Sequence, residues 1–98
     1  MLDSAKLKRF VDQCWGDEIV PTLVEYIKIP NKSPAFDPDW AAHGYMEEAV
    51  TLFERWARQR ISALPGATLD IVRLPGRTPL LFFDVPASGG AGGDTVLL

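Results

Sequence analysis

His43 is the only histidine of this 98-residue chain, and it stands close in sequence to Asp37, Asp39, Glu47 and Glu48, residue types that build metal sites and acid–base pairs. A single histidine cannot supply a zinc site, which takes about three or four protein ligands. Acids gather at helix N-termini for electrostatic reasons alone, so a surface or capping role accounts for the group. Glu47 and Glu48 are adjacent and diverge by about 100° on a helix, which excludes a catalytic pair and fits a solvated face. Cys14, the only cysteine, falls on an apolar stripe and reads as a small buried hydrophobe rather than a nucleophile. The run Gly89-Gly90-Ala91-Gly92-Gly93-Asp94-Thr95 has the glycines of a phosphate loop but no lysine, and a strand pattern follows it instead of a helix. It reads as a flexible connection between strands. Asn31-Lys32-Ser33 spells a glycosylation acceptor, incidental in a chain without a secretory signal. Trp15, Trp40 and Trp56 suggest an aromatic cage, yet two of them continue helical stripes, which favours core packing.

The elements that carry these residues follow from periodicity and punctuation. Leu7, Phe10, Val11, Cys14 and Trp15 have the three-and-four spacing of a helix with one buried face, capped by Asp3 or Ser4. Gly16, Asp17 and Pro21 then weaken or kink it, and the stripe resumes at Leu23, Val24 and Ile27. The expectation is two short helices or one bent one, ending by Ile29 because Pro30 disfavours helical geometry in the residue before it. A three-proline loop leads to Asp37-Pro38, a cap followed by a proline at the first helical position. Past Gly44, the residues Met46, Ala49, Val50, Phe53, Trp56, Ala57 and Ile61 form an inward stripe, while Glu47, Glu48, Glu54, Arg55, Arg58 and Gln59 face out. That helix ends before Pro65-Gly66. Thr68 to Leu74 alternates like a strand wet on one side, Pro75-Gly76-Arg77 turns, and Thr78 to Val85 returns, giving an antiparallel hairpin. Asp94 to Leu98 begins a third strand.

Composition narrows the class. With 47% hydrophobic and 23% charged residues, a net charge of −3 and a pI near 5.0, the chain has the profile of one soluble globular domain. Its ten basic residues are scattered, which argues against a nucleic-acid face. No apolar span reaches the ~20 residues of a membrane helix, and the N-terminus is charged at once, so neither membrane insertion nor secretion is expected. A single cysteine adds to a cytoplasmic expectation.

Taken together, several segments resemble a known family. They are Tyr26-Ile27-Lys28-Ile29-Pro30-Asn31-Lys32-Ser33-Pro34, then Phe36-Asp37 and Trp40, then the amphipathic helix through Trp56, the hairpin, and Asp94-Thr95-Val96-Leu97-Leu98. The set is similar to the N-terminus of the zinc exopeptidases that include dipeptidases, aminoacylases and glutamate carboxypeptidases. The resemblance implies a partial three-layer α/β catalytic domain spanning residues 1–98, with two or three helices, a β-hairpin and the start of a third strand. In that family the third strand runs into a His-x-Asp segment that supplies a terminal ligand and the aspartate bridging two zinc ions, placed where open α/β sheets put ligands. No metal ligand, general base or substrate-binding residue of the family pattern falls on any residue present here. For the longer protein the resemblance implies metal-assisted hydrolysis of a peptide or N-acyl amino acid, with the rest of the catalytic domain as this segment's partner.

Leu80-Leu81-Phe82-Phe83 and Val96-Leu97-Leu98 are apolar without alternation, as strands covered on both faces are. A chain ending inside such a strand suggests a domain continuing beyond Leu98. The alternative is a complete small α/β binding module whose open sheet edge invites self-association.

Overall fold

In the computed structural model, which describes residues 2–89 and 93–98, Asp3 opens the first helix by accepting a hydrogen bond from the Lys6 backbone N–H at 3.0 Å. Helix α1 (Ser4–Cys14) passes without a break into a π-helical segment (Trp15–Ile19) and then into α2 (Val20–Lys28). The one-helix alternative therefore holds, with a local rearrangement where the sequence carries its breakers. Pro21 has no N–H and its ring would crowd the carbonyl four residues back; a wider turn, closed by Val20 N–H onto the Trp15 carbonyl, accommodates it. Thr22 Oγ1 adds a bond to the Glu18 carbonyl at 2.7 Å. The run stops at Ile29, extended at φ −77°, ψ 119°, as the following proline demands.

The loop that follows is braced by a turn. Phe36 N–H and Asp37 N–H both donate to the Ser33 carbonyl at 2.9 Å, with Pro34 in the second position of the turn. A short helix α3 (Trp40–His43) then forms, and Gly44, at φ 77°, breaks it from α4 (Tyr45–Ile61). A left-handed residue ends a helix, and only glycine takes that conformation without strain. The Gly44 carbonyl in turn accepts the first bond of α4, from Glu48 N–H at 3.1 Å. One helix from Asp37 onward thus becomes two. The stripe on α4 is as read: Ala49, Val50 and Ala57 are buried, and Met46, Phe53, Trp56 and Ile61 are half-buried.

Strands β1 (Thr68–Val72) and β2 (Leu80–Asp84) pair antiparallel, from Thr68 opposite Asp84 to Val72 opposite Leu80. Both are shorter than the patterns that announced them. Their link is tightened by Arg77 N–H onto the Leu74 carbonyl at 3.0 Å around Pro75-Gly76. Alternation puts Leu69, Ile71, Leu81 and Phe83 on one face and Thr68, Asp70, Val72, Leu80, Phe82 and Asp84 on the other. Leu69 is buried, a gain of about 1.5–3 kcal/mol over leaving it in water. The chain divides into two compact units, Met1–Leu52 and Phe53–Leu98. The first contains Ala49 and Val50 as its buried apolar residues, the second Ala57 and Leu69.

Three expectations are corrected. Asp94 to Leu98 forms no strand: it has no ladder partner among the described residues, and Leu97 is 90% exposed. The β2 strand is not covered on both faces, since Leu80 and Phe82 stand open on the face away from Leu81. The stripe of α1 and α2 is not buried either; Leu7, Phe10, Val11, Trp15, Leu23, Val24 and Ile27 are all exposed, and within the Met1–Leu52 unit the buried apolar residues are those of α4. Of the glycine loop, Gly90, Ala91 and Gly92 lie outside the described residues, and with them the expectation of a flexible connection. The mixed helix and antiparallel-sheet content is that of an α/β chain, carrying a two-stranded sheet among the described residues.

Candidate functional site

The loop after Ile29 brings together the one pair of groups with catalytic chemistry that the sequence placed near each other. Asp37 sits where the Ser33 turn ends, and its Oδ1 accepts from Asp39 N–H at 3.2 Å. Its Oδ2 meets His43 Nδ1 at 2.7 Å, across one turn of α3. A carboxylate only accepts, so Nδ1 donates in this contact and Nε2 points away from it. The Asp37 side chain is 15% exposed and that of His43 48%, so the acid is held from within and the imidazole faces water. The Tyr45 ring lies beside the imidazole, centroids 6.0 Å apart and tilted by 42°.

Such a pair orients an imidazole for proton transfer or for binding a metal. In the structure it clips the three-proline loop to α3. The remaining acids do not join it in a ligand set. Asp39 precedes α3 without a side-chain capping bond, and Glu47 and Glu48 occupy the exposed first turn of α4. Among the described residues no three His, Cys, Asp or Glu side chains come together in a metal-binding group. The described residues do not make a ligand set for a zinc pair.

The other sequence candidates separate. Cys14 is half-buried and unoxidised at the end of α1. Asn31 turns its amide toward Met46 Sδ, 3.5 Å away, rather than outward as a glycosylation acceptor would. The three tryptophans occupy different elements: Trp15 the π-helical segment, where it is exposed, Trp40 the start of α3, and Trp56 the middle of α4.

One feature was missed in the sequence. In the Phe53–Leu98 unit, Phe53, Trp56 and Ala57 of α4 and Leu81 and Phe83 of β2 line an apolar hollow of about 280 Å³. Arg60 lies over the Trp56 ring, its guanidinium carbon 4.4 Å from the centroid, and donates to the Trp56 carbonyl at 3.3 Å. Trp56 Nε1 is shut off from solvent without an acceptor among the described residues, a state that costs about 1–3 kcal/mol. The four-residue spacing of Trp56 and Arg60 was the available signal for the stack.

Among the described residues, no helix is long and apolar enough to cross a membrane. No family model matches the chain, and no curated protein matches it.

Proposed function

We propose that this chain is the N-terminal scaffold of a zinc-dependent peptidase, of dipeptidase or carboxypeptidase type, whose metal ligands and general base belong to residues outside these 98. The observation that supports the reading most is the open face of the hairpin. Val72, Leu80 and Phe82 share that face with Thr68, Asp70 and Asp84 and are 40%, 57% and 48% exposed, an apolar cluster that a further layer could cover. The remainder of a catalytic domain would supply the missing layer. The Ile-Pro-Asn-Lys-Ser-Pro segment and the amphipathic helix through Trp56, on which the family resemblance rests, agree with it.

In this reading the segment performs no chemistry. The Asp37–His43 clip stiffens the loop and α4 backs one face of the hairpin, so that the following strand is aimed at the metals. Bound zinc would lower the pKa of a water and polarise the scissile carbonyl. The test compares two proteins. The full-length product should hydrolyse dipeptides or N-acyl amino acids and lose that activity to a chelator, whereas the 98-residue chain should be inactive and take up no stoichiometric zinc. Tight stoichiometric zinc binding by the 98-residue chain would overturn the assignment.

A further inference from the structure

We draw no further inference here: the strongest candidate, the apolar hollow that Phe53, Trp56 and Ala57 of α4 line with Leu81 and Phe83 of β2, carries none because nothing in the structure shows what fills it.

Discussion

Asp37 shows how one side chain can hold two pieces of backbone. Its two oxygens bond Asp39 N–H and His43 Nδ1, and the carboxylate is largely out of water, so its loss leaves both donors without their acceptor. Asp37→Ala should therefore cost about 1–3 kcal/mol in urea unfolding of the chain. His43→Ala should cost less than about 1 kcal/mol, because the imidazole is half exposed and water replaces it as Asp37's partner. Equal losses in the two variants would show that the pair acts only as a unit and that the Asp39 bond contributes nothing. The sequence disclosed half of this. Asp-Pro is a cap signal in its own right, but α3 opens at Trp40 after Asp39, and the Asp37 carboxylate instead accepts from Asp39 N–H in the turn ahead of the helix. The histidine contact was not legible, because six residues separate the partners and only the turn through Pro38 and the single turn of α3 close the distance. Nor was the isolation of Trp56 Nε1, which depends on what surrounds it rather than on its neighbours in sequence.

Among the elements, the helices were legible where apolar period and breakers agree. Asp3 caps as its type suggests, Ile29 ends the first run ahead of Pro30, and Ala49, Val50 and Ala57 are the buried side of α4. The π-helical segment was not, since Gly16 and Pro21 are equally compatible with a kink, a new start or a wider turn. Gly66 was read only as punctuation. It lies at φ 75°, and a Cβ there would sit 3.0 Å from Pro86 Cγ, just past the end of β2. Gly66→Ala should destabilise by more than about 1 kcal/mol from backbone strain alone, with the proline contact adding to it. Combining it with Pro86→Ala should recover the contact part and leave the strain, an interaction that a double-mutant cycle on urea midpoints measures. Additive effects would mean that the two residues do not meet. The third strand does not form although each strand of the hairpin keeps a free edge among the described residues; an apolar run in the sequence does not say which edge, if any, it will pair with.

For the whole molecule, surface area measures how much of the chain is left uncovered. A folded chain of 10.8 kDa leaves about 5,500 Å² exposed, and two independent bodies of half that mass about 6,700 Å² between them. These residues leave 8063 Å² exposed, more than either arrangement requires. The isolated chain should accordingly bind an apolar dye strongly, and an absence of dye binding would count against the open sheet face. Composition pointed to a single globular domain; it did not disclose the division into two compact units, nor that so many apolar side chains would stand in water. The central claim is that the reactive groups these helices and strands position belong to a segment beyond them, and the most direct measurement is the coding sequence after Leu98. The account predicts a continuation within a few residues into Gly-His-x-Asp or a close variant. A stop codon, or a continuation without that histidine and aspartate, would contradict it.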